Sequence, residues 1–362
     1  MSVIHNRTLN KIMEEILLLF VVMLVCAAAF SGFFSKWQFR DNETKFGIEA
    51  MLDGTAHKPF VYRQLLPATV KTAVVMLPEN PTADAIIMTA LNAKAKPPTR
   101  YLREYKLLYI LCYIAFFISI LLLRQILSGI CHNRAAGTLG ALLFAVLFPL
   151  FETVGGYFYD FFEILFFLLA VSFSLQGNWL ALILLSPVAT LNKESFLFFI
   201  PTMLPLLQNK QGQKLGYATV ASSMLLSGLT YLWIRQQYIE NPGGMVEFHL
   251  WDHLENLFIF DSYFQNNCTY GIVIGDEMFL PYIIMILWVV IKVWKHLPVI
   301  WKSHAKLALL INGPLYMLFC AVGELRNFSL LYITFCIAAA EYIKLLLEDK
   351  DMLVTDYYTD RH

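Results

Sequence analysis

Apolar residues run along this chain in blocks too long for a soluble core. Largely uncharged stretches occupy 16–34, 107–130, 136–152, 158–175, 215–234, 278–294, 307–322 and 328–347, and about 20 such residues wound as a helix cross a bilayer core. Between them, 179–207 holds two shorter apolar runs, 179–191 and 195–207, parted by Asn192, Lys193 and Glu194. A lipid-facing helix does not carry opposite charges at mid-depth, so two helices meeting at a turn are predicted there. The expected fold is an all-α polytopic integral membrane protein of about ten transmembrane helices. It forms one domain over 1–347, followed by a cytoplasmic tail at 348–362.

Orientation follows from the cations in the short connections. Arg7 and Lys11, Arg124 and Arg134, Lys210 and Lys214, Lys292 to Lys306, and Lys344 with Lys350 fall on one side, which is expected to be cytoplasmic. The opposite side receives two long loops, 35–104 and 236–277, and the second contains no Lys or Arg. Prolines 59, 67, 78, 81, 97 and 98 punctuate the first loop, and apolar stretches such as 65–77 predict short re-entrant or interfacial helices. In the second, Leu250, Trp251, Leu254, Leu257 and Phe258 recur at helical spacing opposite Glu247, Asp252, His253 and Glu255, which predicts an interfacial helix over 245–260.

Composition narrows the functional classes. Hydrophobic residues make up 58% and charged residues 15%, with 27 cations against 27 anions, so no basic surplus exists for a nucleic-acid partner. Six scattered cysteines make no disulfide framework. His249 and His253 with Asp252 lack the glutamate of a zinc-protease helix, and no metal or cofactor is expected.

The costly residues gather on the external side. Asp41 and Glu43 follow the first span, Glu152 ends the third, Asp160 and Glu163 open the fourth, Lys193 and Glu194 lie between the short helices, and Glu324 with Arg326 precedes the last span. Asp160 and Glu163 share a helical face among aromatic rings; one of them can instead pair with Lys193 and pin two helices together. Helices entering from outside also point their positive dipole ends at this face, which suits a phosphate. Loop one adds Arg40-Asp41-Asn42-Glu43, then a run from Pro59 to Pro67 that contains Tyr62 and Arg63. A carboxylate at the membrane surface can take the proton of an attacking hydroxyl, and an arginine can grip phosphate with two parallel bonds.

In these stretches the chain resembles the polytopic glycosyltransferases of the GT-C superfamily, which use polyprenyl-phosphate-linked sugars at the outer face of a membrane. The matching features are the acidic pair Asp41 and Glu43, the Pro-Phe-x-Tyr-Arg-x-Leu-x-Pro run, Asp160 at a helix start, the Asn-Lys-Glu-Ser turn at 192–195, and Glu324-Leu325-Arg326-Asn327. The resemblance implies Asp41 as general base, with Glu43 and Asp160 as further catalytic candidates. Arg63, Lys193 and Arg326 are the implied phosphate ligands, and Tyr62, Glu163, Glu194 and Glu324 the implied neighbours of substrate. It further implies a polyprenyl-phosphate sugar donor, a lipid or glycan acceptor, contact with membrane lipids, and a bacterial inner (plasma) membrane with the site on its periplasmic side. The chain departs from the family in being short, in lacking a large soluble C-terminal domain, and in carrying Lys193 where arginine is expected. Competing classes are a lipid-linked oligosaccharide transporter or flippase, which needs charged residues along a mid-bilayer path and related halves, and a surface-polysaccharide polymerase or acyltransferase.

Overall fold

The computed structural model describes residues 2–41, 43–77, 99–244, 247–275 and 280–359. Prolines 78, 81, 97 and 98 of loop one lie outside these residues. Helices dominate: α1 (Ser2–Trp37), α2 (Ile48–Asp53), α3 (Leu65–Met76), α4 (Leu102–Cys131), α5 (Arg134–Phe151), α6 (Phe158–Gln176), α7 (Trp179–Asn192), α8 (Ser195–Phe199), α9 (Leu204–Gln211), α10 (Gln213–Gln237), α11 (Leu250–Asn256), α12 (Leu280–Val293), α13 (Val299–Phe319) and α14 (Ser329–Thr359). Among the described residues, 6 helical stretches are long and apolar enough to cross a membrane: 10–37 of α1, α4, α5, α6, α10, and 325–349, which includes most of α14. The apolar helices α3, α7 and α12 are shorter.

The breaks have local causes. Asn133 caps α5 by accepting from the Ala136 N–H at 3.0 Å, and Asn178 caps α7 through the Ala181 N–H at 3.2 Å. Lys193 has extended backbone, φ −160° and ψ 133°, and so ends α7 where the polar block predicts a turn. The second apolar run then continues as α8, a 3-10 stretch over Ile200–Met203 and α9, with Pro201 and Pro205 interrupting regular hydrogen bonding. At Gly212, φ +82° lets α9 fold directly back into α10.

Aromatic rings fill the core between α1, α4, α5 and α6. Phe33 meets Phe161 edge-on at 4.6 Å, and Phe148 lies 5.2 Å from Phe161 and 5.3 Å from Phe116. Where α5 crosses α14, a Cβ at Gly140 would lie 2.9 Å from the Cβ of Ala340, so a small residue permits the backbones to approach.

Loop two departs from the expected pattern. Its helix α11 covers only Leu250–Asn256, followed by a 3-10 stretch at Phe260–Phe264. Strands β1 (Asn266–Thr269) and β2 (Ile272–Gly275) then pair antiparallel, an exception to the all-α expectation. Tyr270 and Gly271, with φ +60° and +76°, form the tight turn that joins them. The Tyr270 ring packs over Gly32 of α1, leaving no room there for a Cβ.

Candidate functional site

Several helix ends converge at one end of the bundle. The C-terminal end of α1 meets the connection after α5 through the Trp37 Nε1–H, which donates to the Glu152 carbonyl at 2.7 Å. The C-terminal end of α7 meets the start of α6 through Asn192, whose Nδ2 donates to the Tyr159 carbonyl at 2.9 Å. The stretch after α13 joins the connection after α5 where the Thr153 hydroxyl donates to the Gly323 carbonyl.

Lys193 lies at the centre of this junction. Its Nζ is 2.9 Å from Asp160 Oδ1 and 2.6 Å from Glu163 Oε2, and all three side chains are buried. Pairing with Lys193 therefore takes both carboxylates of α6, not one. Asp160 also caps α6, accepting from the Tyr157 N–H at 2.9 Å. Glu163 accepts in addition from the hydroxyls of Ser195 at 2.5 Å and Ser329 at 3.0 Å, which ties α6 to α8 and α14. Arg326 is paired with Glu324, and its Nη1 stands 3.6 Å from Asp160 Oδ2.

Loop one brings Arg63 to the same place. The 3-10 turn Phe60–Tyr62 sets the Arg63 guanidinium against Glu194, with Nε 3.2 Å from Oε2 and Nη2 2.6 Å from Oε1, and Nη1 donates to the Tyr159 hydroxyl. Burial alone would raise the Glu194 pKa, but the adjacent Arg63 holds it below the ordinary carboxylate value. Tyr62 points elsewhere, its ring edge-on to Tyr231 of α10 at 5.9 Å.

Asp41 has different surroundings. It accepts from the Tyr105 hydroxyl at 2.9 Å and from the Phe39 N–H at 3.3 Å, and no cation pairs with it among the described residues. Burial pushes its carboxyl up from 3.8 to about 6, more than those two hydrogen bonds pull it down. Glu43, two residues on, is exposed, so the two acids are not equivalent. Phe39 packs on Phe158 at 6.0 Å and Arg40 lies over Tyr157 at 5.2 Å, placing this turn against the start of α6.

Of the residues singled out from sequence, Arg63, Asp160, Glu163, Lys193, Glu194, Glu324 and Arg326 form this buried junction. Asp41 sits beside it, Tyr62 borders it on the α10 side within reach of the Glu194 charge, and Glu43 is exposed. Sequence reasoning passed over Tyr105, Tyr157 and Tyr159 as ligands of these charges. It also left Arg40 out of the site, although Arg40 adjoins Asp41. Among the described residues no group of acidic, His and Cys side chains has the arrangement of a metal site. An open cavity of about 480 Å³ lies to one side, between α1 and the β-hairpin.

No protein-family model, curated protein or solved structure matches the chain.

Proposed function

We infer that the chain is a multi-pass membrane glycosyltransferase that moves a sugar from a polyprenyl-phosphate donor to a hydroxyl of a lipid or glycan acceptor. In this reading α1, α4, α5, α6, α7, α8 with α9, α10, α12, α13 and α14 make ten passes. Both termini are cytoplasmic, and the charged junction lies at the outer face of a bacterial plasma membrane. Two features support the arrangement: the short connections opposite the junction carry Lys or Arg, as at Arg124 with Arg134, Lys210 with Lys214, and Lys295 with Lys302, and α1, α5 and α7 reach it by their C-terminal ends while α6 and α8 reach it by their N-terminal ends.

The observation that carries the reading is Asp41. Asp160, Glu163, Glu194 and Glu324 are each held by a cation and Glu152 is sealed from solvent, whereas Asp41 is partly open and receives only neutral donors. A carboxylate with pKa about 6 is a competent general base near neutral pH. Asp41 takes the acceptor proton as the acceptor oxygen attacks the anomeric carbon. The bond from that carbon to the phosphate oxygen breaks, and the lipid phosphate departs with a charge that nearby cations stabilise. Charges placed at helix ends and not along a mid-bilayer path weigh against a transporter.

The test is direct. Protein reconstituted in liposomes and supplied with polyprenyl-phosphate sugars of differing headgroup is expected to release polyprenyl phosphate with one of them, in step with glycosylation of extracted membrane lipid or glycan. Movement of intact donor across the bilayer without cleavage would replace this reading with the transporter.

A further inference from the structure

Four cations surround the stacked rings of Tyr157 and Tyr159, whose centroids are 5.0 Å apart. Three are neutralised in place: Arg63 by Glu194, Lys193 by Asp160 and Glu163, and Arg326 by Glu324. Arg40 is the exception. No carboxylate lies within ion-pair distance of it among the described residues, and its Nε is shielded from solvent without a hydrogen-bond partner.

Yet Arg40 is firmly held. Its backbone is left-handed at φ +61°, and its guanidinium lies over Trp37 at 4.5 Å, Tyr157 at 5.2 Å and Phe46 at 5.6 Å. Nη2 donates to the Val154 carbonyl at 3.3 Å, and Gly155 makes way for it, since a Cβ there would come within 2.3 Å of Nη2. Nε is closed off, but the residue is partly exposed, so a fixed guanidinium with no counter-ion turns an open edge to an anion.

A second observation says what kind of anion. Lys36 lies over the same Trp37 ring, at 5.0 Å, and lines the cavity of about 480 Å³ together with Ala28, Ser31 and Ser35 along one side of α1. That cavity runs beside a helix apolar enough to cross a membrane and gives room for an alkyl chain.

We propose that Arg40 is the cation that receives the ligand's phosphate, and that the α1 cavity, whose lining residue Lys36 shares the Trp37 ring with Arg40, takes the first part of the ligand's chain, so that the phosphate ester of a long-chain alcohol binds one residue from Asp41. The proposal rests on the glycosyl-transfer reading for the donor class. It moves the anion away from Arg63, Lys193 and Arg326, whose charges are already matched by carboxylates.

The experiment measures binding of farnesyl phosphate and of inorganic phosphate to the purified full chain in detergent. Arg40→Asn removes the charge with a residue that accepts left-handed backbone, Arg40→Lys keeps the charge without the planar fork, and Ala28→Phe fills the cavity. Arg40→Asn is expected to weaken farnesyl phosphate about tenfold to a hundredfold, the range of a lost charge-assisted bond, and Arg40→Lys by several-fold. Ala28→Phe is expected to weaken farnesyl phosphate but not inorganic phosphate. Melting temperature is followed in parallel; should Arg40→Asn fail to fold, the Arg40→Lys comparison decides. Wild-type affinity in the folded Arg40 variants overturns the proposal and leaves the glycosyl-transfer reading standing. Arg40-dependent binding without sugar transfer from any polyprenyl-phosphate sugar overturns that reading alone. Farnesyl phosphate binding no tighter than inorganic phosphate and indifferent to Ala28→Phe overturns the cavity assignment.

Discussion

Lys193 and Asp41 lie at the same end of one helix bundle and illustrate opposite uses of charge. Around Lys193 the charges are matched in place: two carboxylates, two serine hydroxyls and a helix cap meet in a buried junction that ties α6, α8 and α14 together. Around Asp41 they are not, because a half-buried carboxylate is held by a phenol and one backbone N–H in a turn where Gln38 and Arg40 both have positive φ. A network of paired charges resists change and gives rigidity, whereas a carboxylate without a cation, in a turn of left-handed backbone, retains affinity for a proton. The account therefore assigns support to the first region and chemistry to the second.

The largest effect should come from breaking the region of paired charges. Lys193→Met leaves Glu163 buried without its counter-ion and Asp160 with only Arg326 at 3.6 Å, and a loss of about 3–5 kcal/mol is expected from such an uncompensated charge, read by denaturant unfolding in detergent. Neutralising the carboxylates as well, with Asp160→Asn and Glu163→Gln, should restore much of the loss. A Lys193→Met protein as stable as wild type would mean that the junction holds nothing together.

The Asp41 turn can be disturbed without touching the junction. A Cβ at Gly47 would fall 2.3 Å from the carbonyl oxygens of both Arg40 and Glu43, so Gly47→Ala must move backbone. A cost of about 1–3 kcal/mol is expected, with loss of transfer out of proportion to loss of fold. Unfolding curves and turnover measured on the same preparation check this.

Protonation separates the regions next. The Asp41 carboxyl titrates near 6 in the fold against an ordinary 3.8, so the protonated form is the one the fold favours. That contribution to stability is fully present below 3.8 and is lost as pH rises through about 6. With Asp41 as the proposed base, activity should run the other way, since a base must be ionised, and turnover should climb through pH 6. Asp41→Asn is expected to flatten the stability change over this window; an unchanged profile would assign it to another group.

Glu43→Gln should have the smallest effect, within about 0.5 kcal/mol on stability for an exposed surface change and near-wild-type turnover, because Glu43 is exposed. Turnover falling as far as in Asp41→Asn would make the two acids one functional unit.

How much of this was readable along the chain depends on range. Hydropathy alone placed the long helices and the α7–α8 turn, because length and uninterrupted apolarity are local properties. The meeting of Lys193 with Asp160 and Glu163 was partly visible, since two acids three apart share a helical face and one cation lay at a turn on the same predicted side. Partners were less accessible. Glu194 lies 131 positions from Arg63, and Tyr105 lies 64 from Asp41, so neither pairing leaves a local trace. Arg40 was hidden for another reason: its importance comes from the room left by Gly155 and from counter-ions that its neighbours have and it does not. The β-hairpin had a signal, a β-branched run after Tyr270-Gly271, but it was short beside the hydropathy pattern.

The most direct test of the division between support and chemistry compares Asp41→Asn with Asp160→Asn in one assay of sugar transfer, donor affinity and unfolding. The account predicts that Asp41→Asn keeps its fold and donor affinity while turnover falls by about 10²-fold to 10⁴-fold, as on losing a general base. It predicts that Asp160→Asn shows its main deficit in stability, through the weakened α6 cap and the lost pairing with Lys193. Full turnover in Asp41→Asn, or a folded and stable Asp160→Asn protein with no turnover, would contradict it.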